Sequence, residues 1–362
     1  MVQRIAFILP HFQMGGAEQV ILRLLTSLDR NRFQPTLILQ RREGTLLDQI
    51  PTDVRVLDLA GARASRAIFG LARLLRRERF DLTYTATNAG NLLALAALRL
   101  SGTKTRAVIS EHTPLNGFLA QVGARNLRVA LMRALYPSAT ALVAPLPQIG
   151  EEHRTLLGAK VPRFTCLPNP VVDALADLTA PKGRLTRLVS VGRLAPEKRF
   201  DLMIDGFSLA HARNPDLRLT IHGEGPCREA LEAQVSAYGL SGAVSLPGLN
   251  RDIPAALADS DMFLCTSQLE GLGNAIIEAM AAGLPVLSVD CPYGPPHLLE
   301  NGQSGALVRS DAPEDIAAEI LAMTADPVRR QTYRQRGQAM AARYQLGASI
   351  RAHETLFSLA CQ

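Results

Sequence analysis

Short apolar runs rich in Val, Ile and Leu alternate with helical patterns along the whole chain. The runs include residues 4–9, 36–39, 105–110 and 139–144, and the helical patterns include residues 17–28 and 88–100. Near-continuous apolar strands that alternate with helices predict parallel sheets with helices on both faces. The chain is therefore expected to have an α/β fold.

The alternating pattern pauses once, at residues 167–184, which are rich in Pro and small side chains. It restarts with an apolar run at residues 186–192, and 362 residues exceed the roughly 250–300 at which one core usually splits. We predict two Rossmann-like domains facing a central cleft, residues 1–170 and 171–342. The last helix, at about residues 343–362, is expected to pack back on the first domain. Ligands of such sheets bind beyond the carboxyl ends of strands.

The net charge of +6 is unevenly distributed. Residues 1–180 contain 22 Lys and Arg against 13 Asp and Glu, whereas residues 181–362 contain 17 against 20. The basic half is the candidate for an anionic partner. No aromatic-basic interleaving or nucleic-acid module is present, so a nucleic-acid partner is not expected. An anionic membrane surface fits this charge better.

Cysteine usage and the first residues both predict a cytoplasmic location. Five scattered Cys without CxxC spacing are typical of a reducing compartment and give no zinc motif. The first 13 residues are too short for a signal peptide and fit a first buried strand. No apolar segment reaches the roughly 18–20 residues that a membrane span needs.

A glycine-rich turn between two carboxylates, Glu270 and Glu278, opens a helix in the second half. Free backbone N–H groups at a helix start suit a phosphate, and the carboxylates can accept hydrogen bonds from hydroxyl groups. The turn and the helix start consist of Gly271, Leu272, Gly273, Asn274 and Ala275. A ligand with hydroxyl groups at both ends and phosphate in the middle is a nucleotide sugar. Alone, either carboxylate would fit a helix-end charge or a surface salt bridge.

The segment GRLAPEK follows the first strand of the second domain and supplies Gly192, Arg193 and Lys198. Gly192 allows close approach of the backbone. Two fixed cations can neutralise a diphosphate without a metal ion, Arg through its bidentate fork and Lys as a point charge. An exposed basic loop is the alternative, and the position after a strand argues against it.

The second half resembles the retaining nucleotide-sugar glycosyltransferases of family 4 (glycosyl transferases group 1), which have the GT-B fold. The matching stretches are VSVGRLAPEKRFDLMIDGF, LTIHGEGPCREALEA, VSLPGLNRDIPAALADSDMFLCTSQLEGLGNAIIEAMAAGLPVLSVD and GPPHLLENGQSGALV, with HFQMGGAEQVILRLL near the N-terminus. The resemblance implies transfer of a sugar from a UDP- or GDP-type donor with retention at the anomeric carbon. One departure is EGLGN, where many members carry Pro before the Asn.

The resemblance also implies residue roles. Arg193 and Lys198 would bind the diphosphate, and Glu278 the ribose hydroxyls. Glu270 would bind sugar hydroxyls, while the N–H groups of residues 272–275 hold the distal phosphate. Our predicted catalytic set is Arg193, Lys198, Glu270 and His112.

Three residues of the first domain join the site through the family pattern. Gly15 and Gly16 would bring backbone close to the donor phosphate or the acceptor. His112 would hydrogen-bond a sugar hydroxyl or orient the acceptor, with a structural histidine as the alternative. Glu111 beside it is a further candidate, against a cap or salt bridge.

Retaining transfer can use a carboxylate nucleophile. The family is thought instead to use a front-face route, in which the departing phosphate oxygen takes the acceptor's proton. Stabilising the leaving diphosphate is then the main catalytic work, and no side chain is an obligatory nucleophile. The DSD of Asp259 and Asp261 is interpreted as structural. We therefore expect no cofactor and metal-independent chemistry.

Residues 66–80 and 115–136 have the pattern of basic amphipathic helices, which can lie on anionic lipid. Ordinary domain helices with solvated arginines are the alternative. The family's frequent use of lipid-carried acceptors favours a peripheral position on the inner face of the cytoplasmic membrane. His297 stands where many relatives have Glu, and the sequence assigns it no role.

The leading hypothesis is a glycosyltransferase that moves a hexose or N-acetylhexosamine from a nucleotide-diphosphate sugar, expected to be a UDP-sugar, to a lipid-linked or lipopolysaccharide-type glycan. A nucleotide-sugar epimerase of the same fold is one alternative. An inactive nucleotide-binding partner subunit is another.

Overall fold

The protein divides into two compact units in a computed structural model that describes residues 2–60, 64–178 and 183–362. The first unit contains Met1–Pro170 and Leu346–Gln362, and the second contains Val171–Gln345. The chain therefore passes between the units twice. Residues 179–182 of the predicted linker lie outside the described residues.

Within its described residues, the first unit has a parallel sheet of seven strands. They are β1 (Gln3–Leu9), β2 (Phe33–Leu39), β3 (Arg55–Asp58), β4 (Leu82–Thr85), β5 (Arg106–Ser110), β6 (Ala141–Ala144) and β7 (Arg163–Cys166). Their spatial order is β3-β2-β1-β4-β5-β6-β7. The central strands are buried almost completely, as expected for a parallel sheet with both faces covered.

The helices that follow these strands are α1 (Gly16–Ser27), α2 (Ala64–Glu78), α3 (Asn88–Ser101), α4 (Leu115–Gln121), α5 (Arg125–Leu135) and α6 (Pro147–Leu157). The sequence of α3 sets both of its ends. The Thr87 hydroxyl accepts a hydrogen bond from the Gly90 N–H at the start, and Gly102 adopts a φ of +63° at the end. Residues 115–136, expected as one amphipathic helix, form α4 and α5 with a break between them.

The second unit has a parallel sheet of six strands within its described residues. They are β8 (Arg187–Val191), β9 (Arg218–His222), β10 (Val244–Gly248), β11 (Met262–Cys265), β12 (Val286–Val289) and β13 (Ala306–Val308). Their order is β10-β9-β8-β11-β12-β13. The accompanying helices are α7 (Phe200–Arg213), α8 (Arg228–Ala237), α9 (Ile253–Ala258), α10 (Asn274–Ala281), α11 (Gly294–Leu298), α12 (Pro313–Ala325) and α13 (Pro327–Ala341).

The last helix, α14 (Leu346–Ala360), packs in the first unit. Phe357 is buried there against the rings of Phe7, Phe33 and Tyr84. At the helix surface, Glu354 accepts hydrogen bonds from the Asp29 backbone N–H and the Arg32 guanidinium. Ring packing and these polar contacts hold the C-terminal helix on a sheet formed by the N-terminal residues.

Both sheets reverse their strand order beside the first strand of the unit, as in doubly wound Rossmann folds. In the second unit this puts β8 next to β11, with Met262 opposite Leu188 and Phe263 opposite Val189. The predicted α/β class with two Rossmann-like units is confirmed. The loops after β8 and β11 leave the sheet side by side, at the place where such sheets bind ligands.

Candidate functional site

The loops after β8 and β11 meet through a charged pair. The Lys198 ammonium donates a hydrogen bond to Glu270 Oε1, although 72 residues separate the two in sequence. Their side chains are 23% and 15% exposed, so the pair is largely shielded but can be reached from solvent. Burial alone would lower the pKa of Lys198, but the Glu270 carboxylate beside it holds that pKa above its ordinary value. Lys198 is therefore a permanent cation.

Two hydroxyl residues at the end of β11 fix this pair. Ser267 donates to the same Oε1 atom of Glu270 at 2.7 Å. The Thr266 hydroxyl lies 3.0 Å from the Lys198 carbonyl oxygen and 2.7 Å from that of Arg199. Arg199 has a φ of +49°, which is uncommon for a residue other than glycine. Thr266 thus holds the strained backbone that directs Lys198 towards Glu270.

Arg193, the second predicted diphosphate cation, lies on the same loop. Its guanidinium is paired with Glu197 and its side chain is mostly exposed. The Glu197 carbonyl oxygen in turn accepts a hydrogen bond of 3.0 Å from the Gln268 N–H. An incoming anion can exchange the Glu197 contact for its own, because an exposed ion pair is weak.

Glycines after β9 let the β8 loop pack backbone against backbone. A Cβ on Gly223 would lie 1.8 Å from the Gly192 carbonyl oxygen, and one on Gly225 would lie 2.3 Å from that of Leu194. The Gly192 N–H donates to the His222 carbonyl oxygen at 3.0 Å, and the Leu194 N–H to that of Glu224 at 2.9 Å. The β8 loop is therefore anchored along its whole first half.

The glycine-rich turn leads into α10, which begins at Asn274 and is preceded by Gly273. Gly273 has a φ of +91°, a conformation closed to proline, whose ring holds φ near −65°. Gly273 stands where many family members carry Pro, so the backbone conformation with which this turn enters α10 is one that proline cannot adopt. No side chain caps α10 at Gly273, and Glu278 lies half-buried within the helix.

The loop after β12 closes the other side of the turn. Tyr293 pairs with Glu270 through a parallel bridge and has a φ of +78°. A Cβ on Gly294 would lie 2.5 Å from the Leu272 carbonyl oxygen, so only glycine fits there. Backbone strain of this kind clusters at functional sites.

Asp261 has structural partners, as the sequence interpretation expected. Asp261 accepts hydrogen bonds from the backbone N–H groups of Thr186 and Arg187. Burial would raise the pKa of Asp261, but the Arg187 guanidinium and these amides keep it below its ordinary value. Asp259 ends α9. In the described part of the chain, no group of three or more His, Cys, Asp or Glu side chains is arranged to hold a metal ion.

His297 lies on α11, and its Nε2 is 3.0 Å from the Tyr344 hydroxyl. The Tyr344 carbonyl oxygen accepts hydrogen bonds from the N–H groups of Val171 and Val172. Burial lowers the pKa of His297, and the nearby Arg343 cation lowers it further. His297 is thus a neutral hydrogen-bonding partner that ties α11 to the end of the second unit.

In the first unit, His112 follows β5. The Ser110 hydroxyl lies 2.9 Å from its Nε2, while its Nδ1 is buried without a partner among the described residues. Burial of the ring lowers the pKa of His112 to about 4, and His353 on α14 adds to the effect. His112 is therefore a neutral imidazole with one ring nitrogen engaged and one available.

Glu111 is buried in a polar network rather than acting as a cap. Its Oε1 accepts hydrogen bonds from the Tyr136 hydroxyl and from Asn91 Nδ2, the latter at 2.9 Å. The Glu111 carboxylate and burial together raise the pKa of Tyr136 well above its ordinary value. The His153 Nε2 lies 3.8 Å from the same oxygen.

Gly15 and Gly16 lie where β1 leads into α1. Gly15 precedes the helix with a φ of −163°, an extended conformation open to any residue, and α1 begins at Gly16. A Cβ on Gly15 would meet only the flexible end of the Glu18 side chain. The backbone conformation of Gly15 therefore does not itself require glycine, and its predicted role stays a prediction.

The buried histidines of the first unit predict acid sensitivity. Burial lowers the pKa of His353, like that of His112, to about 4. Unfolded chains bind protons below about pH 6.5, so the free energy of unfolding should fall as pH drops from 6.5 towards 4. Each histidine should contribute about 2 kcal/mol of this loss by pH 5.

This loss can be measured by urea unfolding, followed by circular dichroism because the chain has no Trp. The substitution His353→Gln should shrink the difference in unfolding free energy between pH 7.5 and pH 5 by about 2 kcal/mol. An unchanged difference in the variant would show that His353 is not the responsible group.

The structure brings the predicted donor-side residues of the second unit to the carboxyl ends of β8, β11 and β12, because these three strands are neighbours in the sheet. His112, Gly15 and Gly16 lie at strand ends of the first unit. Sequence reasoning missed Thr266, Ser267 and Gly223. The polar pair directly after the apolar run MFLC was the available signal for Thr266 and Ser267.

Family models match both halves of the chain. The model described as Glycosyltransferase Family 4 matches residues 14–175, and the one described as Glycosyl transferases group 1 matches residues 178–340. An exopolysaccharide phosphotransferase of Streptomyces coelicolor is 26% identical over 80% of this chain. The chain spans only 29% of the length of that relative, and 29% of the GtfA subunit of Streptococcus gordonii.

Other relatives match over nearly their full length. The N-acetylgalactosamine-N,N'-diacetylbacillosaminyl-diphospho-undecaprenol 4-alpha-N-acetylgalactosaminyltransferase of Campylobacter jejuni is 27% identical over 94% of this chain and 95% of its own. Among solved structures, Anabaena HepE in complex with UDP and glucose superposes with a TM-score of 0.81 at 20% identity. That match covers 98% of this chain and 99% of HepE, and it shows the shared fold.

Proposed function

The chain belongs to family 4 of the glycosyltransferases (glycosyl transferases group 1), and from that premise we propose that it is a retaining sugar transferase. Its donor is a UDP-sugar that carries a hexose or N-acetylhexosamine. Its acceptor is a lipid-linked or lipopolysaccharide-type glycan in cell-surface polysaccharide biosynthesis. The observation that carries the proposal is the Lys198–Glu270 pair where the β8 and β11 loops meet.

The roles of the donor-side residues follow from their chemistry. Lys198 and Arg193 are cations on one anchored loop, so they can stabilise charge that develops on a leaving diphosphate. Lys198 and Ser267 both contact Oε1 of Glu270, which orients the carboxylate for the hydroxyls of the donor sugar. Glu278 on α10 accepts hydrogen bonds from the ribose hydroxyls. The α10 start supplies backbone N–H groups for the distal phosphate.

The reaction follows the front-face route. The leaving phosphate oxygen accepts the proton of the acceptor hydroxyl, so no protein side chain forms a covalent bond to the sugar. The Nδ1 of His112 has no partner in residues 2–60, 64–178 and 183–362, so it accepts or donates a hydrogen bond at a sugar hydroxyl without carrying charge at neutral pH. Charge stabilisation comes from Lys198 and Arg193, so we propose chemistry that needs no metal ion. Full turnover after dialysis against EDTA is the expected result.

Two relatives support the choice of substrates. HepE has been crystallised with UDP and glucose, and the Campylobacter enzyme is named for a diphospho-undecaprenol acceptor. All five cysteines of this chain are free thiols, which fits a reducing compartment. We therefore place the protein in the cytoplasm, on the inner face of the membrane.

A thermal-shift screen against UDP, GDP, ADP and their sugar conjugates tests the donor. A ligand at 100 times its dissociation constant stabilises the native state by about 2.7 kcal/mol. UDP and a UDP-sugar should raise the melting temperature most. A stronger shift with GDP or ADP would refute the UDP assignment. Conversion of a UDP-sugar to its epimer without acceptor would instead reveal an epimerase.

The membrane position rests on the helical face formed by α2, α3 and α5, which pack side by side in the first unit. On α2, Phe69 is 63% exposed between the exposed Arg66 and Arg73. On α5, Leu127 is 61% exposed and Arg125 is exposed beside it. Exposed apolar side chains flanked by arginines suit an anionic lipid surface. No helix among the described residues is both long enough and apolar enough to cross a bilayer.

Vesicle binding should depend on the arginines of α2. Each basic residue near an anionic surface contributes about 1 kcal/mol, so Arg66→Ala with Arg73→Ala should weaken binding roughly 30-fold. Cosedimentation with phosphatidylglycerol vesicles measures this. The control variant, Lys160→Ala with Arg213→Ala, removes the same charge from exposed positions outside α2. Equal losses in both variants would mean that α2 is not the contact surface.

A further inference from the structure

Arg128 on α5 is a half-buried cation without a counterion. Its Nη1 donates a hydrogen bond of 2.7 Å to Asn88 Oδ1, and its guanidinium carbon lies 5.4 Å from the Phe118 ring centre. Its Nε is buried and has no hydrogen-bond partner within the part of the chain that the structure describes. Among the described residues, no carboxylate lies within 4 Å of the guanidinium. A buried N–H donor without an acceptor is unfavourable, so the Arg128 side chain is suited to donate a hydrogen bond to an acceptor atom of a ligand.

The carboxylate beside Asn88, that of Glu111, is already engaged. Glu111 accepts hydrogen bonds from Tyr136 and Asn91, and Asn88 Nδ2 lies 3.4 Å from the same oxygen. Asn88 therefore stands between Glu111 and Arg128, with its amide nitrogen towards the acid and its oxygen towards the cation. This arrangement fixes Arg128 without neutralising it.

The surrounding sequence offers no other acid. Residues 112–150 contain no Asp or Glu, but they contain Arg125, Arg128 and Arg133. Arg125 lies three residues before Arg128 on the same helix, so the two side chains are neighbours on its surface. Arg125 is exposed and has no ion pair among the described residues. Two adjacent cations match the charge of a phosphate or diphosphate.

An apolar surface adjoins these cations. Leu131 lies three residues after Arg128 and is 41% exposed, and Leu127 is exposed one residue before it. A half-buried cation beside exposed leucines suits a ligand that is anionic at one end and apolar at the other.

We propose that Arg128, assisted by Arg125, binds the phosphate or diphosphate group of the acceptor. The inference rests on the proposed function, because it takes the acceptor to be a lipid-linked glycan. The guanidinium presents a planar fork of N–H donors that matches two phosphate oxygens, and its unpartnered Nε supplies one of them. Asn88 and the Phe118 ring hold the fork in place.

Calorimetric titration of the protein saturated with UDP tests this site, because UDP occupies the donor pyrophosphate position. The probes are farnesyl diphosphate, inorganic pyrophosphate and farnesol. The wild type should bind farnesyl diphosphate, and Arg128→Gln should weaken that binding at least tenfold. The matched control is Arg133→Gln, an arginine of the same helix whose Nε donates to the Leu156 carbonyl oxygen at 3.2 Å. It should bind like the wild type.

The affinity for UDP should be the same in all three proteins, which shows that Arg128→Gln folds and keeps its donor site. If farnesyl diphosphate binds more tightly than pyrophosphate, the site recognises a lipid phosphate. If the two affinities are equal, the site recognises the phosphate group alone. The proposal is wrong if the UDP-saturated wild type binds neither phosphate probe, or if farnesol binds as well as farnesyl diphosphate. It is also wrong if Arg128→Gln binds them unchanged. Failure to bind UDP would instead overturn the proposed function.

Discussion

Replacing Lys198 with Ala should lower the turnover number by about 10²–10³-fold, the usual cost of removing one preorganised group that stabilises transition-state charge. Lys198 is a permanent cation on an anchored loop, and the glycine-rich turn faces it through Glu270. Without it, the leaving diphosphate would have only Arg193 and the backbone amides. Turnover is measured as release of UDP from a UDP-sugar in the presence of acceptor.

A second measurement separates catalysis from folding. Lys198→Ala leaves Glu270 largely buried without its ammonium, which should lower the free energy of unfolding. The loss should be smaller than the 3–5 kcal/mol of a fully buried pair, because Lys198 is 23% exposed. Removing both partners together, as Lys198→Ala with Glu270→Ala, should recover much of the stability and none of the activity.

The exposed Lys104 provides the control, since Lys104→Ala removes the same charge away from the site and should change neither quantity. Near-normal turnover in Lys198→Ala would show that the pair is only a structural ion pair. The assignment of the donor site to the β8 and β11 loops would then be wrong.

Replacing Gly223 with Ala should damage the same site through the backbone. The new Cβ would lie 1.8 Å from the Gly192 carbonyl oxygen and 2.9 Å from its carbon, and neither atom belongs to a side chain that can move away. Overpacking of this kind costs about 1–3 kcal/mol and at times more. We expect a loss of about 3 kcal/mol in the free energy of unfolding.

The β8 loop must shift to accept this Cβ, and Arg193 and Lys198 shift with it. A displacement of about 1 Å can cost roughly 100-fold in rate, so kcat/KM should fall by about that factor. Urea unfolding and steady-state kinetics measure the two effects. Gly242→Ala is the matched control in the same unit, because a Cβ there meets nothing within 4 Å. If Gly223→Ala were as stable as Gly242→Ala, the close packing of the β8 and β9 loops would be wrong.

The proposed site around His112 in the first unit depends in the same way on groups from several elements. His112 and Ser110 belong to one strand end, but His353, which helps to keep the pKa of His112 low, comes from the last helix. Nothing in the residues around His112 indicates this neighbour. Replacing His353 therefore probes the packing of α14 as well as the titration of the imidazole.

The local structure and the chemically active residue types of this protein could be predicted from its amino-acid sequence. Apolar runs located β1, β2, β5 and β6 to within a few residues. Each strand of a parallel sheet is buried on both faces, so each one is a nearly continuous apolar run in the sequence. The pause at residues 167–184 located the boundary between the units. The proposed donor-side residues were selected because they follow strands, which is where such folds bind ligands.

Only the tertiary structure decided which of these residues touch. Lys198 meets Glu270 because β8 and β11 are neighbours in space, although two strands, β9 and β10, would separate them in a sheet that followed chain order. The same holds for His297 with Tyr344, and for Arg128 with Asn88. Periodicity depends on near neighbours in the chain, whereas these contacts depend on strand order and helix packing. No local pattern encodes that order, so it had to be read from the folded chain.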